Sequence, residues 1–116
     1  MLLLVALLFV PWHEGLAREA REQARIDYLI QSLENLPGAV FIRNGTDYDA
    51  AAARAHLQNK LAYAGARVQT AEQFIQYCAS ESSMSHRPYQ IRFQDGRTEN
   101  TADYFRNKLK QFDENH

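Results

Sequence analysis

The chain has 116 residues, 13 Lys and Arg against 14 Asp and Glu, a formal net charge of −1 and one cysteine. That length bounds it to one small domain, and the charge balance excludes the clustered positive excess that nucleic acid or an anionic membrane surface requires. A lone cysteine excludes an internal disulfide, so the core must hold without a covalent staple.

Leu2 to Val10 is an uninterrupted apolar run, far shorter than the roughly 20 residues that span a bilayer. It suits the h-region of a secretory signal peptide, and Gly15-Leu16-Ala17 supplies small residues where a signal peptidase reads. No basic residue precedes the run. The expectation is a signal peptide over residues 1–17 and a single small globular domain over 18–116, periplasmic or secreted, with no stable membrane insertion after processing. A buried N-terminal strand and an uncleaved leader acting as a tether are the alternatives.

From Ala17 to Leu36 the pattern is helical, with Ile26, Leu29, Ile30 and Leu33 as its apolar stripe. Arg18 with Glu22, and Glu22 with Arg25, are spaced for surface pairs worth a few tenths of a kcal/mol. Pro37-Gly38 stops this helix. Ala39 to Arg43 is a short β-prone stretch closed by the turn pair Asn44-Gly45. Asn44-Gly45-Thr46 also matches a glycosylation sequon, but the asparagine is read as turn chemistry. Asp47 or Asp49 then caps a second helix that runs to about Ala66. Its core face is Ala53, Leu57, Leu61 and Ala64, and a neighbouring stripe carries His56, Lys60 and Tyr63.

Thr70 to Phe93 is the stretch around which the rest is organised. Thr70 is an N-cap, Gln73 completes a capping box, and Glu72 adds charge at the positive end of the helix. Ala71, Phe74, Ile75, Cys78 and Ala79 then form one apolar face. On that face Cys78 reads as a small buried hydrophobe rather than a reactive thiol. Ser80, Ser82, Ser83 and Ser85 end the helix by competing for its backbone. Tyr89, Ile91 and Phe93 alternate with Gln90 and Arg92 as a half-buried strand, and Asp95-Gly96 turns it. Thr98 or Asn100 caps a last helix with the stripe Ala102, Phe105, Leu109 and Phe112, and Asp113 to His116 should fray. The fold class is α+β: a mostly helical single domain, order α-β-α-α-β-α, with a two-stranded sheet of undetermined direction packed on helices.

Phe41-Ile42-Arg43-Asn44-Gly45, Ala55-His56-Leu57 with Lys60-Leu61, Thr70-Ala71-Glu72-Gln73-Phe74-Ile75, Ala79-Ser80, Ser82-Ser83 and Pro88-Tyr89 follow one another at suggestive spacings. Together they resemble the YfeK-like family of small exported bacterial proteins, a domain of unknown function, over Ile26 to Phe93. The resemblance implies a signal peptide and a periplasmic or otherwise exported location. It brings no activity, cofactor or catalytic residue.

Little in the sequence resembles catalysis. His56 has no histidine or cysteine at i±3 or i±4 and His86 stands alone, which argues against a metal site. No cofactor is expected. No G-x-S-x-G elbow supports a nucleophilic serine. What stands out is a polar set: Arg43, Asn44, His56, Lys60, Ser82, Ser83, Arg87 and Tyr89. If the strands run antiparallel, Arg43 comes near Arg87 and Tyr89, and two arginines with serine hydroxyls can converge on a carboxylate or phosphate. Satisfaction of local backbone groups explains the same residues and is the more frequent outcome. The function these features favour is a non-enzymatic binding or accessory module of the cell envelope, its partner an envelope protein or a small anionic ligand. The alternative is a small envelope hydrolase using His56 and the serine-rich turn, which requires His56 within hydrogen-bond reach of a serine.

Overall fold

A computed structural model describes residues 17–116. The leader expected over residues 1–17 therefore lies, up to residue 16, outside the described residues. Among those described, no helix is long and apolar enough to cross a membrane.

The elements are α1 (Ala20–Ser32), β1 (Val40–Arg43), β2 (Thr46–Tyr48), α2 (Ala50–Ala64), α3 (Ala71–Phe74, widening into a π-turn over Ile75–Ala79), β3 (Gln90–Arg92), β4 (Thr98–Asn100) and α4 (Thr101–Asn115). The class is α+β, as composition and periodicity indicate, but the sheet has four strands, not two. Its order is β2-β1-β3-β4 and every pairing is antiparallel. The element order is thus α-β-β-α-α-β-β-α. Both additional strands are only three residues long, Thr-Asp-Tyr and Thr-Glu-Asn, too short for an apolar alternation to announce them. They form because each tight turn sends the chain straight back along its own strand. At the first turn Asn44 and Gly45 have φ of 53° and 77°, the double left-handed geometry of a hairpin that matches strand twist.

The correction moves two expected caps. Asp47 lies in β2 and pairs with Arg92 across the sheet at 2.7 Å, while Asp49 caps α2 by accepting from the Ala52 amide at 2.8 Å. Thr98 lies in β4, and Asn100 stands at the start of α4 without capping it through its side chain.

Register places Phe41 opposite both Tyr48 and Ile91, so these three share the face turned to the helices. Ile42, Asp47, Gln90, Arg92 and Asn100 lie on the other face. The core joins Ile26 and Leu29 of α1, and Leu33 just after it, to Phe74, Ile75 and Cys78 of α3 and Phe105 of α4, all essentially inaccessible to solvent. Phe74 and Phe105 meet at its centre with ring centroids 6.0 Å apart. Tyr104 brings a hydroxyl into this interior and donates it to Ser32 Oγ at 3.0 Å.

Glu22 is more than a surface charge. It pairs with Arg25 at 2.9 Å and its Oε1 accepts the Ala71 amide at 2.8 Å, capping α3 from α1. Arg18 instead donates to the Val68 carbonyl at 2.6 Å and to Gln23 at 2.8 Å, so it does not pair with Glu22. Thr70 caps α3 by accepting from the Gln73 amide at 3.1 Å, yet the Gln73 side chain accepts from Gln69 rather than closing the reciprocal box. The α4 end does not fray at Asp113. That carboxylate holds Arg25 at 2.9 Å, and His116 stacks on Phe112 with centroids 4.1 Å apart.

Candidate functional site

The site grows from three pieces: the end of β1, the polar stripe of α2 and the loop between α3 and β3. The loop is closed on itself. Ser82 and Arg87 are joined at 3.0 Å through the backbone, and the Tyr89 amide donates to the Ser80 carbonyl at 3.0 Å. On its other side the Tyr89 carbonyl accepts the Thr101 amide at 2.8 Å, so this residue is pinned between the loop and α4. The serines do the work expected of them. Ser80 donates to the Ile75 carbonyl at 2.7 Å, and buried Ser82 accepts from Asn44 at 3.2 Å and from the Met84 amide at 3.3 Å. Ser85 donates to the Asn44 carboxamide oxygen. The β1–β2 turn and the serine loop are thereby stitched together through one asparagine.

Continuing the β1–β3 register brings Arg43 level with Tyr89. From α2, His56 and Lys60 reach the same point one helical turn apart. Lys60 Nζ lies 3.2 Å from the Tyr89 hydroxyl and 5.2 Å from its ring centroid. His56 meets Tyr89 edge to face, with Nε2 3.1 Å from the hydroxyl oxygen. Arg43 Nη1 stands 3.3 Å from His56 Nδ1, and Nη2 donates to the Tyr48 hydroxyl at 3.0 Å.

The proton arrangement follows from the inventory of groups. A guanidinium has no acceptor, so Nδ1 must accept from Arg43 and neutral His56 carries its proton on Nε2. Tyr89 oxygen then accepts from both His56 and Lys60, leaving its own proton to be donated elsewhere. Burial, reinforced by the charges of Arg43 and Lys60, holds the His56 imidazole below its ordinary value near 6.5 and so favours this neutral form.

Two hollows flank the network and share Arg43, His56 and Tyr89 as their wall. One is an open cleft of about 710 Å³, with Lys60, Arg67 and Ser83 along it. The other is a pocket of about 360 Å³ between α2 and the sheet, floored by Leu33, Phe41 and Leu57. Among the described residues Arg43, Lys60 and Arg67 pair with no carboxylate, whereas Arg21, Arg25, Arg54, Arg92, Arg97 and Arg106 each do. Glu81 is close by, but its carboxylate binds His86 at 2.7 Å while its carbonyl receives Lys60 at 3.5 Å.

Of the residues singled out from the sequence, Arg43, Asn44, His56, Lys60, Ser82, Ser83 and Tyr89 all line the open cleft. Arg87 does not. Its guanidinium lies over the β1–β2 turn, where its nitrogens stand 3.7 and 3.8 Å from the position a Cβ on Gly45 would take. Sequence reasoning missed Tyr48, Arg67, Tyr77 and Met84. Tyr48 was hidden by the unseen β2 strand, while Arg67 is legible as the continuation of the His56, Lys60, Tyr63 stripe. Neither ring nitrogen of His56 meets a serine, the contact named for the hydrolase alternative: Nδ1 faces Arg43 and Nε2 the Tyr89 hydroxyl. Among the described residues no three His, Cys, Asp or Glu side chains gather to hold a metal ion.

A family model described as "Family of unknown function (DUF5329)" matches residues 20–113, which takes in every element from α1 to near the end of α4. The chain belongs to this family. Within DUF5329 lies the range that the sequence motifs marked as YfeK-like. The chain is 40% identical over 70 residues to the Uncharacterized protein YfeK of Salmonella typhimurium, a match covering 60% of this chain and 58% of that protein's length. No solved structure matches the chain.

Proposed function

We propose that this member of DUF5329 is a non-enzymatic binding module of the cell envelope that holds an anionic group at the wall formed by Arg43, His56, Lys60 and Tyr89. One observation carries the reading. Everything this cluster has left to offer is a hydrogen-bond donor, and its cations have no carboxylate partner, unlike six other arginines of the domain. A donor-only cationic cluster is complementary to a carboxylate or phosphate.

Export rests on the apolar run Leu2–Val10 with its small residues at Gly15 and Ala17. Intact mass of the protein from a periplasmic fraction tests it: loss of residues 1–17 supports export, and a full-length cytoplasmic product overturns it.

Anion binding is tested by thermal melting of the purified protein against acetate, phosphate and cell-wall fragments, in parallel with Arg43→Gln. A dose-dependent rise in Tm that disappears in the variant supports the site, since a ligand at 100 times its Kd stabilises by about 2.7 kcal/mol. No shift with any anion, from a well-folded protein, overturns it.

A second reading, docking of a protein partner, is favoured by three side chains on the cleft rim. Among the described residues Tyr63, Tyr77 and Met84 are the large hydrophobic ones most exposed to solvent, and all three line this one cleft. A photocrosslinker placed at Tyr63 in cells should give a discrete adduct that the same group at exposed Gln94 does not.

A further inference from the structure

The α2 helix begins with four alanines, Ala50 to Ala53. Where the helix passes over the sheet, Ala52 and Ala53 line the hollow instead of filling it, with Leu57 one turn further along the same helix and Leu33 and Phe41 facing them. A larger side chain at either position would occupy that space. The resulting volume of about 360 Å³ falls within the roughly 300–1,000 Å³ of ordinary ligand pockets. Leu33, Phe41, Ala52, Ala53 and Leu57 make its walls largely apolar, Asn59, Gln90 and Thr101 add polar atoms, and at one end Arg43, Tyr48, His56 and Tyr89 converge.

Among the described residues Arg43 is the one formally charged side chain lining this pocket, as Lys60 and Arg67 stand on the open cleft beyond the shared wall. Two of its guanidinium nitrogens are committed to neutral partners, His56 and Tyr48, which orient the fork without cancelling its charge. A single oriented positive charge at the mouth of a largely apolar pocket is complementary to one negative charge attached to a compact apolar body.

We propose that the pocket between α2 and the sheet binds a small amphiphilic monocarboxylate, its carboxylate on Arg43 and the Tyr89 hydroxyl and its apolar portion against Phe41, Ala52, Ala53 and Leu57. This deepens the anion-binding reading and rests on it: it names what the anion is attached to. The single charge, rather than the pair available on the cleft side, selects a carboxylate over a phosphate monoester, which carries close to two charges at neutral pH.

The test is a homologous series of straight-chain acids, acetate to octanoate, titrated into the full-length protein by calorimetry. Hexanol and hexyl phosphate serve as neutral and dianionic controls. Each methylene that enters the pocket should tighten binding about fourfold, until the pocket is full. Arg43→Gln should abolish binding of all the acids. Ala53→Leu should shorten the chain length at which affinity stops rising. Because Ala53→Leu can disturb packing, the wild-type protein labelled with ¹³C at alanine methyls provides an independent readout. Hexanoate should shift the Ala52 and Ala53 methyls and acetate should not.

Equal affinity for every chain length, with binding still lost in Arg43→Gln, overturns this proposal and leaves the anion site standing. Tighter binding of hexyl phosphate than of hexanoate overturns the assignment of a carboxylate. Absence of binding by any acid or by phosphate overturns both readings.

Discussion

His56 on α2 and Tyr89 beside β3 stand 33 residues apart in sequence and meet with Nε2 3.1 Å from the phenolic oxygen. The contact joins α2 to the sheet at the point where Arg43 and Lys60 also arrive. Burial pushes the imidazole towards its neutral form, and both cations push it further in the same direction.

The pH dependence follows from that shift. The folded-state value of His56 lies below the unfolded value near 6.5, so the unfolded chain takes up a proton first as pH falls. The contribution of His56 to stability is fully present above about pH 6.5 and is lost as pH falls through the folded value. Urea unfolding at intervals between pH 8 and pH 5 should show stability declining over this window, with a shallower decline in His56→Gln. Parallel pH profiles for the two proteins would show that His56 is not the responsible group.

Glu22 reaches from α1 to the first turn of α3. Replacing it with alanine leaves the Ala71 amide without its acceptor and Arg25 without one of its two carboxylates, and should cost about 1–3 kcal/mol. Glu22→Gln keeps an acceptor for Ala71 and should recover part of that loss. Equilibrium denaturation of the three proteins checks the ordering.

Asn44 has two separable duties. Its φ of 53° suits the hairpin turn, and its carboxamide bridges Ser82 and Ser85. Glycine tolerates the same φ but carries no carboxamide. Asn44→Gly should therefore preserve the β1–β2 hairpin while speeding amide exchange at Met84 and Ser85, whose N–H groups are held by Ser82. Faster exchange throughout β1 and β2 instead would mean that the side chain holds the hairpin itself.

Phe74 and Phe105 are both fully buried at the centre of the core. Truncating Phe74 to alanine removes most of a ring from a close-packed interior and should cost about 3–5 kcal/mol, read from denaturant midpoints.

Cys78 is buried beside this contact, and burial pushes its thiol above the ordinary value. The native protein should resist a thiol-specific reagent at pH 8 and react at the rate of unfolding. Immediate reaction would contradict the burial.

The sequence by itself determined the helices and their buried faces. In α3 the residues Ala71, Phe74, Ile75, Cys78 and Ala79 are all buried, and in α4 so are Phe105, Leu109 and Phe112. Helical burial has a period that a single segment displays, and Thr70 and Asp49 cap through contacts only a few residues long. The same locality made most of the cleft residues legible, since Arg43-Asn44, His56 with Lys60 and the serine turn are each unusual where they stand. Tertiary structure decided the rest. The strands β2 and β4 exist because a neighbour supplies their hydrogen-bond partners, which three residues cannot signal alone. Asp47 became a cross-sheet partner of Arg92 by the same means. Antiparallel register, which no local pattern encodes, is what set Arg43 level with Tyr89 and left Arg87 outside the cleft.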